Sequence, residues 1–316
     1  MSLPPLSTNS TSDADKQTLS RRCWLRRMLS LGCGAGLAQV FAGGLPQAFA
    51  QQPVAVREGS ADRAFRDEAV RAIPYRNLSP RARSITQEVI QNTAVYRRLP
   101  MEMIACDPEF YLFVVNRPDT VVGIWENLGI SEVKLNQTGT NTYVADDGRG
   151  TKTDIEFLHR SHDKHLILAK GSYEGPLLKR TLNGQCLMLL RTGYMTEKDG
   201  TYFVAHQIDA FLKIDDFGAK MIAKTLQQMF GKVADQNFSE ISSFVGSLAQ
   251  KAERDPQWVE QMTTEMRTVH PQVRQEMVKL AHKLADRKDL KAAEQPTSGG
   301  TPTRQTSVRR KISRGQ

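Results

Sequence analysis

The sequence predicts an α+β fold, a curved antiparallel β-sheet closed over one long C-terminal helix. Three observations predict it. Residues 130–214 divide into six short β-like segments separated by five turn signals, as in a meander of antiparallel strands. Residues 201–214 place Tyr202, Val204, His206, Ile208, Ala210, Leu212 and Ile214 at period two, so that one face of the last strand is apolar. Ile222, Leu226, Met229, Val233, Asn237, Ile241, Phe244 and Leu248 then recur at intervals of three or four, a single apolar stripe on one helix. A sheet with one apolar face and a helix with one apolar stripe must each be covered, and each can cover the other.

The elements follow in order. Residues 61–73 have helical spacing (Phe65, Ala69, Val70, Ile73) and stop before Pro74. Ser79-Pro80 is an N-cap followed by proline at the first helical position, opening a helix to about Asn92. Both helices are Arg-rich and are expected to pack loosely. Residues 110–115 (FYLFVV) are continuously apolar, as a core strand would be. A short helix over 120–128 ends at Gly129. The strands are expected at 130–137, 141–145, 151–159, 165–173, 185–195 and 201–214. On the last, Thr201, Gln207, Asp209 and Lys213 define a second, largely wet face, with Phe203 and Phe211 as exceptions. Asp215-Asp216 opens the long helix, where acidic residues complement the positive end of the helix dipole. Gly231 and Gly246 allow it to kink. Helical pieces over 257–268 and from Pro271 to about Asp289 follow, and the Pro/Thr/Ser/Gly/Arg composition from Glu294 onward predicts a disordered tail.

Composition excludes several classes. With 40% hydrophobic and 24% charged residues the chain is neither wholly disordered nor a polytopic membrane protein. The net charge of +9 is concentrated at the ends. Residues 1–50 carry five Lys/Arg against two Asp, and 294–316 carry five against one Glu, leaving only +2 on the body. A pI of 9.4 is therefore no argument for a nucleic-acid-binding body, and no nucleic-acid partner is expected. The basic patch 309–314 suits peripheral contact with an anionic envelope surface.

The N-terminus reads as an export segment. Ser20-Arg21-Arg22-Cys23-Trp24-Leu25-Arg26 precedes a weakly apolar, glycine-rich stretch that ends in Pro46-Gln47-Ala48-Phe49-Ala50. Ala48 and Ala50 suit a peptidase that admits small side chains, so cleavage is expected after Ala50. The segment resembles a bacterial twin-arginine signal, in which Arg21 and Arg22 would be the invariant pair, with Trp24 and Arg26 as mild departures. That resemblance implies the twin-arginine export machinery as a partner and a periplasmic or envelope location. An ordinary secretory signal is the alternative. Cys106 and Cys186 remain in the exported chain, where a disulfide is allowed but two cysteines make no framework.

FYLFVV running into 116–128, then Gly129-Ile130-Ser131-Glu132-Val133, and Leu212-Lys213-Ile214 leading into the last helix, together resemble the START/Bet v 1-like (polyketide cyclase-like) helix-grip superfamily over about 101–249. The match is one of order and spacing and carries no signature motif. The chain is accordingly expected to divide into 1–50 (signal), 51–100 (linker and short helices), 101–252 (helix grip, the part the resemblance covers), 253–292 (C-terminal helices) and 293–316 (tail). The resemblance also implies an apolar cavity between sheet and helix, without a cofactor.

Three functions are consistent with this reading. The first is an exported protein holding an apolar small molecule or lipid, with Tyr202, Val204, His206, Leu226, Met229, Val233 and Asn237 lining the cavity. The second is a cyclase- or hydrolase-like enzyme using His206 as general base. The third is a ligand-free structural or adaptor protein of the cell envelope. His206 is either a polar anchor in the cavity or a core histidine satisfied by a backbone carbonyl or water. Asn237 is either a ligand-binding amide or a structural one. His159, His162 and His165 around one turn could bind a metal if their rings converge, but a tetrahedral site needs three or four convergent ligands and a solvated hairpin end needs none. No Gly-rich phosphate loop, nucleophile elbow, CxxC or HExxH occurs.

Overall fold

The computed structural model describes residues 58–148, 151–173, 182–215 and 219–294, and of helical residues 219–230 it describes the backbone alone. The expected signal peptide, with Arg21, Arg22, Ala48 and Ala50, and the tail lie outside the described residues. In chain order the elements are helices α1 (Arg63–Ala72) and α2 (Pro80–Gln91), strands β1 (Val95–Arg98) and β2 (Glu102–Ala105), and helices α3 (Pro108–Asn116) and α4 (Pro118–Asn127). Strands β3 (Lys134–Gly139), β4 (Thr142–Asp146), β5 (Thr151–Arg160), β6 (Lys164–Tyr173), β7 (Leu182–Thr196) and β8 (Tyr202–Ile214) follow. Helices α5 (Ala219–Arg254), α6 (Pro256–Glu265) and α7 (Pro271–Glu294) complete the chain. No helix among the described residues is long and apolar enough to cross a membrane.

All strand pairs are antiparallel, in the order β1-β8-β7-β6-β5-β4-β3, with β2 also on β8. β1 pairs with 209–212 and β2 with 203–206, so the two form one edge strand interrupted at Leu99-Pro100-Met101. Proline has no N–H to give the ladder, which explains the interruption there. The six strands of the meander fall where the turn signals place them. The architecture is α+β, a helix grip with extra helices.

The first strand is displaced from its expected place. FYLFVV forms α3 instead of a strand. Asp107 caps it, accepting from the Glu109 N–H at 2.8 Å, and Pro108 stands at its first turn. The run is apolar all round because the helix is enclosed: Phe110, Tyr111 and Val114 are buried and Phe113 and Val115 pack on the same core. Continuous apolarity does not distinguish a buried helix from a buried strand. Arg117-Pro118 then ends α3 and starts α4.

Both faces of the sheet are covered. The face expected to be wet carries Leu166, Leu168, Leu187, Leu189 and Phe211, at most 2% exposed, packed under Ala69, Ile73, Leu78, Ala82, Val89 and Ile90 of the N-terminal segment. Helices α1 and α2 are therefore tightly docked, contrary to the loose packing expected. The other, concave face meets α3, α4 and α5, and a second core continues through Met266, Met277 and Leu284 of the C-terminal region. α5 runs 36 residues without a break, about 54 Å at 1.5 Å per residue. At Gly246 it lies close against the edge strand, since a Cβ there would meet Ile104 at 3.3 Å.

Charges reinforce the convex side. Asp209 is fully buried on β8 and accepts from the Tyr96 hydroxyl at 2.6 Å and from Arg98 Nε at 2.7 Å. Arg191 reaches the same carboxylate at 3.0 Å. Glu68 of α1 bridges both guanidiniums, Arg98 at 2.9 Å and Arg191 at 2.8 Å. The two Arg and two acidic groups balance. The hydrogen bonds from Arg98 and Arg191 hold the Glu68 carboxyl down at about 2.

Candidate ligand-binding site

The concave floor is built by register. Cross-strand rows run Ala210–Met188–Ile167, Leu212–Cys186–Ala169–Ile155 and Ile214–Gly184–Gly171–Thr153. Each of these residues is half-buried, although β6, β7 and β8 are central strands and Leu166, Leu168, Leu187, Leu189 and Phe211 on their reverse face are sealed. Cys186 is the most telling. Burial pushes its thiol up to about 12, yet the residue keeps contact with open space. Cys106 is a free thiol as well, inside the core.

One end of this floor is closed by α3 and α5. His206 is sandwiched between Tyr111, stacked at 5.3 Å, and Phe238 at 5.2 Å. Its Nε2 lies 2.7 Å from the Ser242 hydroxyl, which in turn donates to the Phe238 carbonyl at 2.7 Å. Ser242 has one proton and commits it to that carbonyl, so Nε2 must carry the hydrogen of the imidazole. The serine is thus an acceptor from His206, the reverse of an activated nucleophile. Burial lowers the His206 pKa to about 4 and keeps the ring neutral, and its Nδ1 has no partner.

A second polar group closes the floor beside α4. His165, fully buried, places Nε2 3.3 Å from Asn116 Oδ1. Arg160 lies over the Phe157 ring at 3.8 Å and donates from Nη1 to the Asn116 carbonyl at 2.8 Å. Asp119, 2% exposed at the start of α4, completes the group. Burial lowers the His165 pKa to about 4, with the neighbouring Arg160 adding to the effect.

The expected lining residues fare unequally. Val204 is fully buried in the core and Val233 is half-buried. Tyr202 lines a separate cleft of about 440 Å³ at the far end of α5, with Cys106, Asp107, Glu253 and Arg287. That cleft is rimmed by ion pairs, Arg287 with Asp107 at 2.7 Å and Lys288 with Glu253 at 3.3 Å. Leu226 and Met229 belong to the part of α5 whose side chains lie outside the description. Asn237 is exposed and does not face His206. The inward stripe is Phe238, Ser242, Val245, Ala249 and Ala252, one residue on from the expected Asn237, Ile241, Phe244 and Leu248, a rotation of about 100°. Leu248 is buried beside that stripe, while Ile241 is exposed. Sequence reasoning therefore missed Ser242 and Tyr111, and it also missed Arg160, Asn116 and Asp119.

The three turn histidines do not converge. His165 points into the core opposite Arg160, His159 pairs with Leu166 on the reverse face, and His162 is exposed against the Tyr194 ring. Among the described residues no group of three His, Cys, Asp or Glu is placed to hold a metal.

No protein-family model matches the chain, and no curated protein matches it in sequence. Among solved structures, the Mll3558 protein from Rhizobium loti aligns at 12% identity over 45% of this chain and 96% of its own, with a TM-score of 0.26. Apo dicamba monooxygenase aligns at 12% identity over 65% of this chain and 60% of its own, TM-score 0.26. The di-domain ARO/CYC BexL from the BE-7585A biosynthetic pathway aligns at 20% identity over 59% and 57%, TM-score 0.24. Likenesses this distant carry no argument about function, and the fold assignment rests on the strand order itself.

Proposed function

We propose that the protein is an exported carrier that holds an apolar small molecule or lipid between the concave sheet face and α5. The observation that supports this is the half-buried apolar floor in the middle of the sheet. Central strands of a solidly packed domain bury both faces, as the convex side here does. Ile155, Ile167, Ala169, Met188, Ala210 and Leu212 provide apolar surface that a ligand would remove from water, at about 25 cal/mol per Å². The neutral, caged His206 supplies orientation instead of base catalysis.

The test is binding of N-phenyl-1-naphthylamine, an uncharged fluorophore that brightens in apolar surroundings. Saturable enhancement that is abolished by Ala210→Trp, which fills the floor, supports the carrier. Enhancement that is absent, or indifferent to Ala210→Trp, refutes it. Export is tested separately: Arg21→Lys with Arg22→Lys should leave the chain unprocessed in a bacterial host, whereas the parent should begin at Gln51.

A further inference from the structure

The polar group beside α4 carries more than closure. Arg160 uses only Nη1 in its bonds to Asn116. Its Nε and Nη2 are buried and have no partner. These two nitrogens form one edge of the guanidinium, a planar pair of parallel N–H donors that matches the two oxygens of a carboxylate. Two further orphans surround it: Nδ1 of fully buried His165 and Oδ1 of Asp119. Buried polar groups in folded proteins are paired with few exceptions, and each exception needs a reason. In the convex network of this same protein Arg98 is matched to Asp209 and Glu68 at 2.7 and 2.9 Å, and Arg191 leaves a single nitrogen, Nε, unmatched, where Arg160 leaves a whole edge of two.

The free donors set the sign of the missing partner. His165 is neutral, as above. Arg117 and Arg160 act on Asp119 and Asp163 acts on His165, two cations against two anions, so it is the pair of N–H donors left free on Arg160 that calls for an anionic partner. Burial raises the Asp119 pKa, and its Oδ1 has no partner. The walls are apolar: the guanidinium lies on Phe157, which packs with Ile155 and Ile167 of the concave floor.

We infer that the free edge of Arg160 is the head-group site of the hollow and that the ligand is an apolar monocarboxylate, its carboxylate on Nε and Nη2 and its apolar body along Phe157, Ile167 and Met188. This rests on the carrier reading and names its ligand class.

The experiment displaces N-phenyl-1-naphthylamine from the whole protein with dodecanoate, dodecanol and dodecylamine, which share one chain length and differ in head group. A merely apolar pocket prefers dodecanol. The anchored site reverses that order, with dodecanoate at least ~10-fold tighter than dodecanol, equivalent to about 1.4 kcal/mol, and dodecylamine weakest. Arg160→Met keeps an apolar stem over Phe157 and removes the donors. It should lower dodecanoate affinity ~10-fold or more and leave dodecanol unchanged, and retained dodecanol binding certifies the fold. If Arg160→Met does not fold, the ranking on the unaltered protein decides. Dodecanol equal to or tighter than dodecanoate overturns the head-group assignment and leaves the carrier standing. No displacement by any of the three, together with no fluorophore binding, overturns both.

Discussion

The two faces of one sheet are built on opposite principles. On the convex side Leu166, Leu168, Leu187, Leu189 and Phe211 of β6, β7 and β8 are sealed under α1 and α2, and the buried Asp209 carboxylate is matched within 3.0 Å by Arg98 and Arg191. On the concave side the same three strands present a half-buried apolar floor, and its polar end leaves His206 Nδ1, His165 Nδ1, Asp119 Oδ1 and two Arg160 nitrogens without partners. Composition does not separate the faces, since both offer aliphatic side chains and both include arginine. The difference lies in clustering. Orphaned polar atoms occur on both, Arg191 Nε and Gln185 Oε1 among them on the convex side, but four of them gather in one group on the concave side, at Arg160, His165 and Asp119.

That comparison can be broken at several points. The largest effect is expected from Asp209→Ala, which leaves Arg98, Arg191 and Tyr96 around an empty buried position. A loss of about 3–5 kcal/mol in urea unfolding follows from removing one partner of a buried ion network. Next, Leu187→Ala on the convex side should cost about 2–5 kcal/mol, as cavity-forming changes do. Its neighbour Met188→Ala, on the floor, should cost roughly 1 kcal/mol or less, because that side chain already borders open space. Equal losses would mean that the floor is as tightly packed as its reverse.

Acid provides an intermediate effect. The folded pKa values of His165 and His206 are lowered to about 4, against about 6.5 in the unfolded chain. Between those limits the unfolded state takes up protons that the folded state refuses. Stability is therefore full above pH 6.5 and falls as the pH drops toward 4, by up to about 1.4 kcal/mol per unit for each histidine. Thermal melts from pH 7.5 to 4.5 should show this loss, and His206→Gln should remove part of it. Glu68 acts lower, its contribution disappearing as the pH falls from about 4.5 through about 2.

Two further changes distinguish the two sides of α5. Ser242→Ala removes the acceptor of the buried His206 N–H and should cost about 1–3 kcal/mol. Asn237→Ala, on the exposed side, should stay within about 0.5 kcal/mol.

Much of the fold was legible because turn chemistry is local. Gly139, Gly148 and Gly200 sit at or beside the hairpin turns, and Gly148 and Gly200 adopt positive φ. The cap-and-proline pair Ser79-Pro80 marks its helix correctly, and the same signal stood at Asp107-Pro108. There it was outweighed by FYLFVV, whose uniform apolarity reflects a helix enclosed by several neighbours. The facing of α5 was misread for a related reason. Ser242 lies inside and Ile241 outside, and only the position of His206 across the gap explains why a serine is the inward residue. The Arg160 site could not be read at all, because α3, α4, β5 and β6 contribute to it from separate stretches of chain.

The interrupted edge strand and its two covering helices also bear on how little of the chain can stand alone. A fragment beginning at Met101 would discard β1, α1 and α2, unroof Leu166, Leu187, Leu189 and Phe211, and strand Asp209 with Arg191 as its one remaining cation. Such a truncation would expose a greasy plate and is expected to aggregate, so the minimal folding unit must begin upstream of Arg63.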